Sequence, residues 1–339
     1  MNIKGLNLFN TPWRMGRQFI LSALLLTMAA CGSGKADQKA VLNIGDQAKV
    51  LQLPMTLSGE DKGTEGTLRW TTFTNGPNMN AAFLADAIDV GWMGDTPALL
   101  ASAAQADVVV IAGHGHEANS FYQIVAAPDA GIRTLADLRG KRVAFTKGTD
   151  VQGYLMRALK TAGLKLTDLK PIDLPIQSLG SALKSGDADA AILSGPILTG
   201  YLLDRPKAVL IAAPIRSYSV LVASRKTLED PVKRPLLEDF VARQARAWKW
   251  AEIHEDQWRE ALFGALFRQS ADAVKLLKAR HANLILVGPV DEDLQRNFKE
   301  QAVLLKEADV IPDDRVADRL FDPAVIAKFN AIMAAATAR

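Results

Sequence analysis

Between residues 41 and 228, short β-branched apolar runs alternate with segments whose apolar positions recur at helical spacing. "VLNIG" (41–45), "TLRWTTF" (67–73), "IDVGWMG" (88–94) and "VVVIAG" (108–113) read as strands, with "QAKVLQLPMTL", "NMNAAFLA" and "TPALLASAAQ" as the helices between them. Such alternation predicts an α/β fold in which an open, mostly parallel sheet is covered by helices. A second set follows "SFYQIVAAP" (120–128). Its strands lie near "RVAFT", "LKPIDL", "DAAIL" and "AVLIAA", and its helices in "TLADLRG", "DVQGYLMRALKTAG", "SLGSALKSG" and "PILTGYLLD". One more extended run, "YSVLVASRKTL" (218–228), precedes long amphipathic helices that continue to Arg339.

The runs "SFYQIVAA" and "YSVLVAS" bracket the second set, and each suits a strand that carries the chain from one lobe to the other. The second set then reads as an insertion, with lobe one at 41–122 plus 223–339 and lobe two at 123–218. Two α/β lobes joined by a double-strand crossover hinge enclose a cleft, and ligands of such sheets bind beyond the carboxyl ends of the strands.

The first thirty residues have a different character. Lys4, Arg14 and Arg17 form a basic start without acids, "FILSALLLTMAA" is an apolar run too short to span a bilayer comfortably, and Ala29 and Ala30 precede Cys31. Residues 1–30 therefore read as an export signal. Met28-Ala29-Ala30-Cys31 resembles the bacterial lipobox, so Cys31 is expected to be the lipidated first residue of an exported, membrane-anchored chain, with 31–40 as a polar tether. Cys31 is the single cysteine of the sequence, so neither a disulfide nor a thiolate metal site is expected to hold the fold together. Setting aside the three signal charges brings 40 basic residues to 37, equal to the 37 acidic ones. A net charge near zero argues against a nucleic-acid partner, which needs a basic field.

Candidate chemistry sits in the loops that follow the strands. These hold Gln47; Thr74 to Asn78, with Asn75 and Gly76; Gly94-Asp95-Thr96-Pro97; and His114-Gly115-His116. In the second set they hold Thr146 to Asp150, with Gly148 and Thr149; Pro175 to Ser178; and Ser194-Gly195-Pro196. Four of these loops are punctuated by Gly or Pro, carry small hydroxyl and amide side chains, and stand immediately before a helix. Each reads alone as a cap. Converging on one cleft, their exposed N–H groups would suit a small anion held without a cation. Asp150 reads as a cap, because a carboxylate repels an anion, and Lys147 as a solvated loop charge. Tyr218, at a crossing, either closes on a ligand or packs in the hinge. Trp92 and Phe73 read equally as core or as pocket wall, while Trp248, Trp250 and Trp258, at helical spacings, read as packing.

Catalytic signals are weak. "HGHE" (114–117) lacks the further ligands that a metal needs, and one imidazole serving as a hydrogen-bond donor is the better reading. Neither a Gly-x-Ser-x-Gly elbow nor a phosphate loop nor a dinucleotide fingerprint occurs. No enzyme activity, cofactor or metal is expected.

"LNIGDQ", "GPNMNAAFLADAIDVGWMGDTPALLASAAQADVVVIAG", "IRTLADLRGKRVAFTKGTDVQGYLMRALKTAGL" and "ALKSGDADAAIL" resemble the aliphatic sulfonate-binding proteins of bacterial ABC importers, as does "VLLKEADVIP" near the end. These belong with binders of taurine, nitrate and thiamine precursors. The resemblance implies a two-lobed type II periplasmic binding protein fold, monomeric, that captures a small anionic solute and delivers it to an ABC permease and its ATPase. Carried over by position, Asn75, Gly76, Gly94 to Thr96 and Gly148 to Asp150 would fall on ligand-contacting loops. One departure is Ser194-Gly195-Pro196, where family members often carry Trp-Asp-Pro; it leaves the ligand class open. A sensory lipoprotein and an enzyme like the thiamine pyrimidine synthases are the alternative functions.

Overall fold

The computed structural model describes residues 39–280 and 287–338. The proposed signal 1–30, Cys31 with most of the tether, and His281 lie outside the described residues. Residues 39–339 form one compact unit.

Among the described residues, ten strands make two five-stranded sheets. The first sheet contains β1 (Val41–Gln47), β2 (Thr67–Phe73), β3 (Val90–Gly94), β4 (Val108–His116) and β10 (Ser217–Ser224), in the order β2-β1-β3-β10-β4. The second contains β5 (Tyr122–Ala126), β6 (Arg142–Phe145), β7 (Lys170–Asp173), β8 (Ala190–Ser194) and β9 (Val209–Ile211), in the order β7-β6-β8-β5-β9. The two orders are equivalent. In each sheet the strand delivered by a crossing runs antiparallel to both neighbours: β5 to β8 and β9, and β10 to β3 and β4. The other pairings are parallel, as the alternation of runs and helices predicts.

The outward crossing occupies 117–121 and the return crossing 212–216. Tyr218 pairs with Gly115 and Ser219 with Gly94, so both belong to the first sheet. The sequence-based division, which ended lobe two at 218 and resumed lobe one at 223, cut through β10. Its apolar run is continuous because β10 is buried on both faces.

Helices α1 (Gln52–Ser58), α2 (Gly76–Leu84) and α3 (Asp95–Ala103) connect the first strands, while α4 (Asp150–Thr161), α5 (Leu179–Ser185) and α6 (Gly195–Asp204) serve the second sheet. The carboxyl-terminal part adds α7 (Arg225–Glu229), α8 (Lys233–Ile253), α9 (Glu255–Arg259), α10 (Ala271–Arg280), α11 (Glu292–Glu307), α12 (Val316–Leu320) and α13 (Pro323–Thr337), with a wide helical turn over Glu260–Leu266 between α9 and α10. Two apolar clusters sandwich the first sheet. One joins Leu42 and Ile44 to Phe240, Trp248 and Phe329; the other joins Met93 and Val220 to Leu99 and Phe298. A third cluster fills lobe two around Ile124, Leu155 and Ile192.

Two helical expectations shrink. "QAKVLQLPMTL" becomes helical only from Gln52, because Ala48 and Lys49 take left-handed φ values of 54° and 61° and the buried Asp46 carboxylate accepts the N–H groups of Leu51 and Gln52. "TLADLRG" yields one short turn at Ala136–Leu138, closed by Gly140 at φ 72°.

Candidate functional site

A cavity of about 460 Å³ lies where the carboxyl ends of β1, β2, β3 and β8 meet. From the first sheet come Gln47, Thr72 to Thr74, Trp92 and Gly94; from the second lobe come Tyr122, Asp150, Gln177 and Ser194 to Pro196. The crossing contributes Phe121, and the segment from Trp258 to Phe267 brings Trp258, Leu262, Phe263 and Phe267. Among the described residues, no lysine, arginine or histidine lines it.

Of the sequence-predicted residues, Gln47, Gly94, Asp150 and Ser194 line this cavity. Gln47 is held by a bond from its amide Nε2 to the carbonyl of Trp92 at 3.1 Å. Asn75 stands one residue beyond the lining Thr74 and caps α2, its side chain accepting from the N–H of Asn78 at 3.0 Å. Gly76 is buried against Pro97; a Cβ would stand 2.4 Å from that ring. Gly148, at φ 74°, lies opposite Pro77 and Leu100 of the first lobe. Thr149 is buried and donates its hydroxyl to the carbonyl of Thr146 at 2.8 Å. The mouths of α2, α3 and α4 therefore pack largely on one another.

Asp95 and Thr96 are consumed in that packing. The Asp95 carboxylate accepts from the Thr96 N–H at 2.6 Å, from Asn297 at 3.1 Å and from Arg157 Nη1 at 2.7 Å. Arg157, on α4, also donates to Gln301 of α11 at 2.7 Å and to the carbonyl of Arg216 in the return crossing at 3.3 Å. The Asp95 and Arg157 side chains are 1% and 8% exposed, so this is a buried ion pair between lobes. Gly153 lets the helices approach: a Cβ there would lie 2.1 Å from Thr96 Oγ1. The sequence expectation of a ligand contact at Asp95 thus meets an internal partner, Arg157, that no local motif announced.

Asp150 departs from its reading as a cap. Its carboxyl accepts from the Tyr122 hydroxyl, and it fills the space beside Gly94, where a Cβ would stand 2.5 Å from its atoms. Burial pushes its pKa from 3.8 up to about 6, against the Tyr122 hydrogen bond, while the nearby Asp95 charge raises it further. Burial likewise raises the Tyr122 hydroxyl well above its usual value.

His114 and Tyr218 lie elsewhere. His114 borders a separate recess with Arg216 and Trp248, its pKa lowered by burial and by Arg216. Tyr218 donates to Asp293 at 2.7 Å beside Arg216. Sequence reasoning missed Phe121, Phe263 and Phe267, and it assigned Trp258 to packing alone. Trp258 does pack, edge to face on Trp248 at 5.4 Å, and it lines the cavity as well. Trp92 and Phe73 prove to be pocket wall, and the indole N–H groups of Trp92 and Trp258 are buried and find no hydrogen-bond partner among the described residues.

Residues 62–259 match the family model described as "ABC transporter, phosphonate, periplasmic substrate-binding protein". The chain belongs to this family. Within the periplasmic substrate-binding family, it is 34% identical over 182 residues to a "Putative aliphatic sulfonates-binding protein" of Escherichia coli (strain K12), which spans 53% of this chain and 57% of that protein. The chain thus matches little more than half the length of this curated relative. The crystal structure of the periplasmic aliphatic sulphonate binding protein SsuA from Escherichia coli superposes with a TM-score of 0.71 at 25% identity, over 84% of this chain and 92% of that one. The alkanesulfonate-binding protein SsuA from Xanthomonas axonopodis pv. citri, bound to MOPS, gives a TM-score of 0.69 at 23% identity, over 84% and 99%. These likenesses establish the two-lobed periplasmic binding protein fold, whose cleft is where this family member holds its cavity.

Proposed function

We propose that this chain is the solute-binding component of an ABC importer and that it captures a small organosulfonate between its lobes. The observation that carries the reading is the cavity itself. It sits at the carboxyl ends of both sheets, beside the mouths of α3, α4 and α6, and sets the side chains of Thr72, Gln177 and Ser194 among apolar walls. A sulfonate spreads one charge over three oxygens, which uncharged donors and helix N-termini can satisfy without a cation. Closure of the lobes would present the loaded form to the permease and its ATPase. The ligand is held unchanged, by a monomer, without cofactor or metal.

Residues 1–30 act in this reading as an export signal, and Cys31 as the lipidated anchor that keeps the protein on the outer side of a membrane. Cys31→Ser should move it from the membrane fraction to the soluble one; retention would remove the anchor from the account.

Thermal unfolding against alkanesulfonates, taurine, sulfate, nitrate and thiamine precursors tests the ligand. At ~1,000 times its dissociation constant a ligand adds about 4 kcal/mol, so organosulfonates should raise Tm by several degrees. A rise with nitrate or a thiamine precursor alone would reassign the ligand.

A further inference from the structure

We propose that the preferred ligand carries its sulfonate on an aromatic tail. This rests on the reading of the cavity as an organosulfonate site and deepens it. Six rings beside Tyr122 wall the space: Phe73, Trp92 and Phe121, and then Trp258, Phe263 and Phe267 from the carboxyl-terminal segment. They are held in place by one another and by the core. Trp258 meets Phe263 edge to face at 6.4 Å, Phe263 lies 6.0 Å from Phe267, and Phe121 stacks on His116 at 4.9 Å.

One stretch of the lining is wholly aromatic and aliphatic. Ser194 and Gly195 come from a strand end and the mouth of α6, whereas Trp258, Leu262, Phe263 and Phe267 come from the carboxyl-terminal segment. The first group suits a sulfonate head and the second an apolar tail. Volume points the same way. About 460 Å³ falls within the range of pockets that hold drug-sized ligands, and a two-carbon sulfonate would leave most of it unfilled.

Rigid rings favour a rigid guest. An aromatic tail meets fixed ring edges and faces in the offset and edge-to-face arrangements that rings prefer. A flexible alkyl chain of equal area loses rotamer freedom on binding, which a ring does not. Phe73, Phe121 and Phe267 remain half-buried, so ring surface is still available to be covered.

Calorimetric titration of the full chain with naphthalene-2-sulfonate, benzenesulfonate and ethanesulfonate tests the proposal. Naphthalene-2-sulfonate should bind at least roughly tenfold tighter than ethanesulfonate. Phe73→Leu and Phe267→Leu keep apolar bulk and remove the ring; each should shrink that ratio to about threefold, chiefly by weakening naphthalene-2-sulfonate. Ethanesulfonate binding as tightly as the aryl compounds would overturn the aromatic tail and leave the importer reading standing. An unchanged ratio in both variants would overturn it too. Failure of all three sulfonates to bind would overturn the organosulfonate reading itself.

Discussion

Asp95 and Asp150 occupy the same position in two helices, the first residue of α3 and of α4, and both lie in the cleft between the lobes. Their partners differ. Asp95 meets a guanidinium, the Asn297 amide and the N–H of Thr96 in its own helix, and its charge is compensated inside the protein. Asp150 meets a phenol, which lends a proton but no charge, and its pKa rises to about 6. One acid is structural and closed; the other borders an open cavity and retains a titration within reach of neutral pH. An acid at a helix mouth is therefore uninformative until its partner is known.

The largest effect should come from breaking the closed member. Arg157→Met strands Asp95 in a buried site and should cost about 3–5 kcal/mol in urea unfolding, and Asp95→Leu combined with it should restore a large part. Little recovery in the double variant would mean that Asn297, Gln301 and the Thr96 cap, rather than the ion pair, carry the contact.

Asp150→Asn should act with the opposite sign. A carboxyl whose pKa is higher folded than unfolded binds its proton more tightly in the folded state, so stability falls as pH rises from about 4 to about 6 and stays lower above. The amide removes that penalty: the variant should be more stable by about 2–3 kcal/mol at pH 7.5 and equal to the parent near pH 4. Asp46 titrates in the same direction and to about the same value, so only the difference between variant and parent isolates Asp150. An anion beside Asp150 also favours its protonated form. Sulfonate affinity should rise as pH falls from 7.5 to 5.5 in the parent and stay flat in the variant; a parent whose affinity falls instead would indicate a cationic ligand.

The smallest effect tests how closely the two helix mouths are fitted. Gly94→Ala puts a methyl group into the Asp150 carboxyl and should cost about 1–3 kcal/mol through overpacking. Combined with Asp150→Ala, much of that cost should vanish in the same melting experiment.

The alternation of apolar runs made both sheets legible, since each strand and each parallel pairing needs only local pattern and a helical return. The loops after the strands were legible for the same reason, and Gln47, Gly94, Asp150 and Ser194 line the cavity as their positions imply. What pattern could not show was pairing across sequence distance. Arg157 looks like one more charge on an amphipathic helix until α3 and α11 close over it. Trp258 and Phe267 share the helical spacing of packing residues, and the same spacing serves a residue that packs with one edge and walls a cavity with the other. His114 and Tyr218, read as a loop and a crossing residue, lie within β4 and β10 and face other recesses, because position along a strand fixes an end of the sheet and not a direction around it.

The placement of β10 between β3 and β4 also dictates the order in which the protein can be completed. A chain that emerges from a ribosome or a secretion pore amino end first can close the inserted sheet once β9 is out. The outer sheet must hold its third and fourth strands apart until all of residues 117–216 have followed. During that interval two apolar strands present unpaired edges, the kind of surface that holding chaperones cover and that self-association exploits. The crossing that makes a cleft possible thus also makes the older-born half of the molecule the later one to mature.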